Sequence, residues 1–273
     1  MSESVLSVSH LTKSFGLFTA VHDVSFDLAP GSSLGIVGES GSGKTTLARM
    51  VIGLEAPTSG TITCCGHDRS HPSRSTKARR ARALETQIVF QDPYASLDPR
   101  QTVEQALAEA VRLHARHEVR ARVEELADMV ALGARHLMAL PRHLSGGQRQ
   151  RVAIARALAA NPKVLVLDES VAALDVSIQA QILNLLADIR ERTAISYLFI
   201  SHDLAVIRQV TEHAIVMRGG RVVESGATGE LLRAPIHPYT RALLDSVPRP
   251  GWKPSRRTVL HLERGDHDAP DAD

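Results

Sequence analysis

The run Gly38-Glu39-Ser40-Gly41-Ser42-Gly43-Lys44-Thr45 constrains this chain more than any other segment. It reads glycine, four residues, then Gly-Lys-Thr, with a β-rich run (Leu34 to Val37) before it and a helical run from Thr45 after it. Glycines let the backbone curl until successive N–H groups point at one place, and the following helix start adds partial positive charge there. The pattern therefore reads as a phosphate cradle, with Lys44 reaching the β- and γ-phosphates and the Thr45 hydroxyl sitting on Mg²⁺. A strand–turn–helix of this kind belongs to an α/β domain, and β-rich runs alternate with helical patterns for most of the length.

Composition narrows the class. The 273 residues suffice for one large domain or two small ones, and 43% hydrophobic with 23% charged residues is an ordinary globular balance. Lys+Arg number 32 against 30 Asp+Glu, so no dedicated nucleic-acid binder is expected. Apolar runs such as Val164 to Leu167 fall far short of the roughly 20 residues a membrane span needs. Met1-Ser2-Glu3-Ser4 shows no secretory pattern, and Cys64 and Cys65, being adjacent, make no disulfide framework. The expectation is a reduced, soluble, cytoplasmic chain.

Candidate strands are Val5 to Ser9, Leu34 to Val37, Ile88 to Phe90, Val164 to Leu167, Tyr197 to Ser201 and Ala214 to Met217. Gly219-Gly220, inside Ala214 to Glu224, reads as a hairpin turn and adds an antiparallel element. From about Thr102 to Ala160 only helical spacing is visible. Val103, Leu107 and Val111 form one stripe; Val119, Val123, Leu126 and Val130 form another; a third helix starts near Ser145 and turns Val152, Ala155 and Leu158 inward. Ile178, Ile182, Leu185 and Ile189 form the core stripe of a later helix. The segment from Pro248 to Asp273, basic and then acidic, reads as a loosely held tail.

Two further runs carry chemistry. Val164-Leu165-Val166-Leu167 ends in Asp168-Glu169, which would place Asp168 facing Mg²⁺ and Glu169 against a water in line with the γ-phosphate. Leu144-Ser145-Gly146-Gly147-Gln148 opens a helix with exposed backbone donors, a second anion site beyond what one nucleotide needs, which suggests a face offered to another subunit. Cys64, Cys65, His67 and His71 suggest zinc only weakly, because adjacent cysteines fit the usual separated ligand pairs poorly. The basic run Arg69 to Arg82 is expected to be a solvated loop.

The order of these motifs, from about Val5 to Val247, closely resembles the nucleotide-binding subunits of ATP-binding-cassette (ABC) transporters, and the Leu144–Gln148 signature is the most specific part. The resemblance implies ATP and Mg²⁺ as cofactors and a P-loop NTPase (RecA-like) core with a mainly parallel sheet, an antiparallel β element and an inserted helical subdomain of about 92–160. It implies nucleotide contacts along Gly38 to Thr46 (Thr46 following the loop), with Phe15 stacking on adenine. Gln91 would sense Mg²⁺ and the attacking water, giving a metal set of Thr45, Gln91 and Asp168. Glu169, His202, Gln91 and Lys44 would be the catalytic group. Ser145, Gly146, Gly147 and Gln148 would close over ATP held by the opposite subunit, and Asp175 would lie in the loop crossing the dimer interface. Without the resemblance, Phe15 would read as core, His202 as a surface histidine and Gln91 as nothing in particular.

The stretches from Val89 to Arg100, Asp175 to Gln181 and His237 to Leu244 also look like the oligopeptide/dipeptide/nickel importer branch, and more like its second ATPase, lettered F. That likeness implies an ATPase domain over 1–235 and a C-terminal extension over 236–273. It also implies a partner ATPase, identical or distinct, two separate permeases, an extracytoplasmic solute-binding protein and a place on the inner face of the cell membrane. With no cysteine after Cys65, the iron–sulfur cluster of some relatives is not expected. Ser170 stands where proline usually follows the catalytic glutamate, and Ala172 where serine is common; neither removes a reacting group, though Ser170 bears on how firmly Glu169 is placed. Rival readings are an exporter ATPase with the same site, and a soluble cassette ATPase acting on nucleic acid or ribosomes. The latter usually carries two cassettes or a coiled-coil insertion, neither of which is visible.

Overall fold

The computed structural model describes residues 4–73, 75–93, 96–114 and 118–245. In chain order, β1 (Leu6–Phe15), β2 (Phe18–Leu28) and β3 (Ser33–Val37) lead into α1 (Lys44–Val51), then β4 (Ser59–Cys64), β5 (His67–Asp68), α2 (Thr76–Glu85) and β6 (Thr86–Val89). A helical block follows: α3 (Val103–His114), α4 (Val119–Met129), α5 (Ala134–Leu137) and α6 (Gly146–Leu158). The chain then returns through β7 (Val164–Asp168), α7 (Val176–Thr193), β8 (Ser196–Ser201), α8 (Leu204–Val210), β9 (His213–Arg218) and β10 (Arg221–Ala227) to α9 (Thr228–Arg233) and α10 (Pro238–Asp245).

Six strands form the central sheet in the order β10-β9-β3-β8-β7-β6, parallel except for the β9–β10 hairpin. Strands buried on both faces read as continuous apolar runs, and β3, β7 and β8 have no exposed position. Successive side chains go to opposite faces. Val164, Val166, Leu198 and Ile200 join a core with α1 and the second sheet, while Leu165, Leu167, Tyr197 and Phe199 join the core that continues into the helical block. That second sheet, β2-β1-β4-β5, is antiparallel and caps α1.

The six expected strands are all present, with shifted ends, and the Gly219-Gly220 hairpin and the three helical stripes lie where the spacing put them. Several expectations are corrected. The strand begun at Val5 runs on to Phe15, past register shifts that interrupt its period-2 alternation, and its partners β2 and β4 had no candidate. The basic run is partly a helix, α2, carrying Lys77, Arg79, Arg80 and Arg82. Phe15, which without the family resemblance would read as core, is instead 48% exposed, as its expected place against adenine requires, with the Lys13 ammonium 4.7 Å from its ring centroid. Beside Cys64 and Cys65 the fold brings Glu85, with ligand atoms within 4.8 Å of one another. Both Glu85 oxygens are already engaged, by His67 and Arg69, and burial pushes the Cys64 thiol up to about 12, which favours the thiol over a metal-binding thiolate. The tail expected from Pro248 lies outside the described residues, as do Tyr94 and Ala95 of the importer-like stretch.

Candidate nucleotide site

Ligands of parallel sheets gather beyond the carboxyl ends of the strands. Here the strand order makes neighbours of motifs far apart in sequence. Val37 of β3 is level with Ser201 of β8, Ile200 of β8 with Asp168 of β7, and Leu167 of β7 with Val89 of β6. The Gly38 loop, His202, Glu169 and the segment containing Gln91 therefore leave the same edge of one sheet, side by side.

Gly43 ends the loop with φ at +98°, and a Cβ there would sit 2.4 Å from the Ala20 carbonyl oxygen, so both backbone and space require glycine. Lys44 is buried and folds back over the loop, donating to the carbonyls of Gly38 at 2.7 Å and Glu39 at 2.8 Å and, at 3.4 Å, to Ser42 Oγ. Burial lowers the Lys44 pKa, opposed by Glu169, Asp168 and Glu39 in that order. Thr45 Oγ1 donates to Asp168 Oδ1 at 3.4 Å. Asp168 is buried, and its carboxyl is held above the ordinary carboxylate range, first by burial and then by the neighbouring Glu169 charge; the Thr45 hydroxyl, Lys44 and Arg49 pull the other way.

Glu169 takes a left-handed backbone, φ +48°, which costs a side-chain-bearing residue on the order of 1–3 kcal/mol. Its N–H donates to Ile200 O at 2.9 Å, and its carbonyl accepts the Ala172 N–H at 3.0 Å. Both flanks of the residue are thus tied down with a buried serine, Ser170, in the following position. His202 Nδ1 stands 3.4 Å from Glu169 Oε1. Gln91 is exposed two residues past β6.

Loop, lysine, threonine, aspartate, glutamate and histidine are thus brought together. Oxygen donors dominate around Asp168 and Thr45, the chemistry that suits Mg²⁺ rather than a softer metal. Ser145 to Gln148 stand apart from this cluster. Ser145 Oγ accepts the Gln148 N–H at 3.2 Å and Gln148 Oε1 accepts the Ser145 N–H at 2.8 Å, a reciprocal cap at the start of α6. Gln148 also meets His136 at 3.1 Å, and among the described residues no hydrogen bond joins 145–148 to 38–45. Gly146 and Gly147 pack against Leu174 and Ile178, on either side of Asp175, which caps α7 by accepting the Ile178 N–H at 2.9 Å. Phe15 and Thr46 complete the expected set, both outside the buried core. One contact escaped sequence reasoning: Tyr239 of α10 bonds to the loop at Glu39, a pairing 200 residues apart that no local pattern announces.

With this geometry in view, comparison with known proteins is specific. Residues 21–172 match the family described as ABC transporter, and residues 223–269 the oligopeptide/dipeptide transporter C-terminal region. The oligopeptide transport ATP-binding protein OppF of Bacillus subtilis is 42% identical over 258 residues, covering 92% of this chain and 84% of that protein. OppD of Mycobacterium tuberculosis is 47% identical over 90% of this chain, which spans 40% of that longer protein. Among solved structures, the ATP-binding cassette MJ0796, a dimer bound to ADP and Pi, superposes with a TM-score of 0.73 at 28% identity, covering 82% of this chain and 98% of that one. The chain belongs to the ABC transporter family, as one of its ATPases.

Proposed function

We propose that this chain hydrolyses ATP at the interface between two cassettes and thereby drives peptide import through separate permease subunits. The observation that carries the catalytic half is the gathering of Lys44, Thr45, Asp168, Glu169 and His202 at one edge of the parallel sheet. Lys44 holds the phosphates and offsets negative charge developing on them. Glu169 takes a proton from the attacking water, and His202, beside it, contacts the γ-phosphate. Thr45, Asp168 and Gln91 would hold Mg²⁺, which when bound would neutralise negative charge on the phosphate oxygens. Phe15, exposed at the tip of the β1–β2 hairpin, is available to stack on adenine. Ser145 to Gln148 and Asp175 serve the nucleotide of the opposite subunit.

Peptide import is supported by the match of residues 223–269 and by relatives named for oligopeptide transport, which also weigh against the exporter reading. These relatives carry both letters, D and F; the F assignment rests on the importer-like motifs. No helix among the described residues is long and apolar enough to cross a membrane, which fits an ATPase docked on the inner face against permeases of their own. An ATPase domain over 1–235, with the helical subdomain of about 92–160 as its moving part, and an extension over 236–273 complete the reading.

Glu169→Gln tests the mechanism. Expected are retained ATP binding, loss of steady turnover by a factor of about 100 or more, and accumulation of ATP-closed dimers in size-exclusion chromatography. Turnover at the wild-type rate removes Glu169 from the base role.

A further inference from the structure

The phosphate loop has a neighbour from the far end of the described chain. Tyr239 is 7% exposed, and its hydroxyl oxygen accepts the N–H of Glu39 at 3.0 Å. The carbonyl of the same Glu39 accepts the Lys44 ammonium at 2.8 Å. One loop residue is therefore held from two sides: by the phenol through its N–H and by the lysine through its C=O. A buried tyrosine oxygen needs a partner, and Tyr239 meets that need on the loop.

The helix presenting Tyr239 is fixed in turn. Glu224 of β10 accepts the N–H groups of Ile236 at 2.8 Å and His237 at 3.1 Å, one on each carboxylate oxygen, at the entry to α10. His237 Nδ1 accepts the Tyr239 N–H at 3.1 Å, and Arg241 Nε donates to the Pro235 carbonyl at 2.9 Å. The Arg218 guanidinium, at the end of β9, lies 4.9 Å from the Tyr239 ring centroid, a cation–π contact. The same β9–β10 hairpin touches the loop directly, where the Gly220 N–H donates to Ser42 O at 3.1 Å. The hairpin thus supports the loop from one side and anchors the helix that supports it from the other.

We propose that Tyr239 is a positioning residue for the phosphate loop: α10, clamped by Glu224, sets Glu39 through the phenol oxygen, and Glu39 sets the Lys44 ammonium. The proposal rests on the nucleotide reading of 38–45. It gives the C-terminal region a physical connection to the ATP site, so that what moves α10 changes nucleotide affinity.

The test uses the full chain with MgATP as probe. Tyr239→Phe removes one oxygen and keeps the ring. Loss of a net hydrogen bond corresponds to roughly a 3- to 10-fold change. Expected, then, are a dissociation constant by calorimetry and an ATP KM both higher by about that factor, with kcat little changed and the melting temperature of the nucleotide-free protein held. Glu224→Ala reads the same link from the other end, without touching the phenol. The double variant should bind no more weakly than the worse single one, because both break one chain of contacts. A purely structural role lowers the melting temperature and leaves KM alone; that result overturns the proposal, as does full additivity. Lys44→Ala keeps the two levels separate. If it loses MgATP while Tyr239→Phe binds normally, only the proposal fails; if it binds normally, the nucleotide reading fails with it.

Discussion

Asp168 shows how the fold sets the charge of a single residue. Burial and the Glu169 charge raise its carboxyl pKa above the ordinary value, so the nucleotide-free fold holds a proton there more tightly than the unfolded chain does. The sign follows from linkage: a raised carboxyl pKa favours the fold most below the ordinary carboxylate pKa, about 3.9, and that contribution is lost as pH rises through the folded value. Ionised Asp168 is therefore a burden on the empty fold near neutral pH. Replacement by asparagine keeps the acceptor for the Thr45 hydroxyl and removes the charge. We expect Asp168→Asn to raise the melting temperature of nucleotide-free protein at about pH 7, with the gain shrinking as pH falls toward the carboxylate range. The same variant should lose the thermal stabilisation that MgATP gives the wild type. Scanning calorimetry across pH, with and without MgATP, measures both; a variant less stable than wild type at neutral pH contradicts the sign.

At the scale of elements, the start of α6 separates two glycines that look alike in sequence. A Cβ on Gly146 would meet Leu174 at 3.4 Å, close to ordinary contact, whereas one on Gly147 would meet Ile178 Cγ2 at 2.5 Å. Alanine gains up to about 0.5–1 kcal/mol over glycine in a helix, but overpacking against a stiff β-branched side chain costs about 1–3 kcal/mol. Gly146→Ala should therefore be neutral or slightly stabilising, and Gly147→Ala destabilising by about 1–2 kcal/mol, in urea midpoints at constant m value. Equal effects at the two positions would show that contact with α7 does not matter. The pair also marks the limit of sequence reading. The capping pattern Ser-Gly-Gly-Gln located the helix start, since a cap is local and leaves a local signal. What packs on Gly147 lies 31 positions away and left none. The fully buried β3, β7 and β8 were legible as apolar runs; β2 carries a local signal too, the alternation Val24, Phe26 and Leu28, but that signal is confined to its second half, and the register with β1 shifts toward the first. Of the site, the loop and Asp168-Glu169 were readable because each follows a legible strand, whereas His202 was assigned only through the family resemblance, since a histidine just past a strand end otherwise reads as a surface residue. Tyr239 was not readable, because only the folded chain brings α10 to Glu39.

At the scale of the whole molecule, the proposed function divides the chain into two half-sites. Lys44, Thr45, Asp168, Glu169 and His202 form one, and the exposed Ser145 at the start of α6 heads the other, bonded within its own helix cap and to His136 by way of Gln148. An isologous dimer related by a two-fold axis would join each loop to the other chain's α6 and complete both sites. Complementation then distinguishes this from catalysis within one chain. Lys44→Ala spoils the loop and keeps the cap; Ser145→Arg spoils the cap, at about 1 kcal/mol of helix stability, and keeps the loop. Each variant alone should be inactive. Mixed in equal amounts, half the dimers pair one of each and hold one intact composite site of two, so ATPase activity should recover to at most about a quarter of wild type. The recovery should fall on dilution, as the dimer dissociates. If each chain used its own α6 the mixture would stay as inactive as its parts, because neither variant holds an intact loop and an intact cap in one chain.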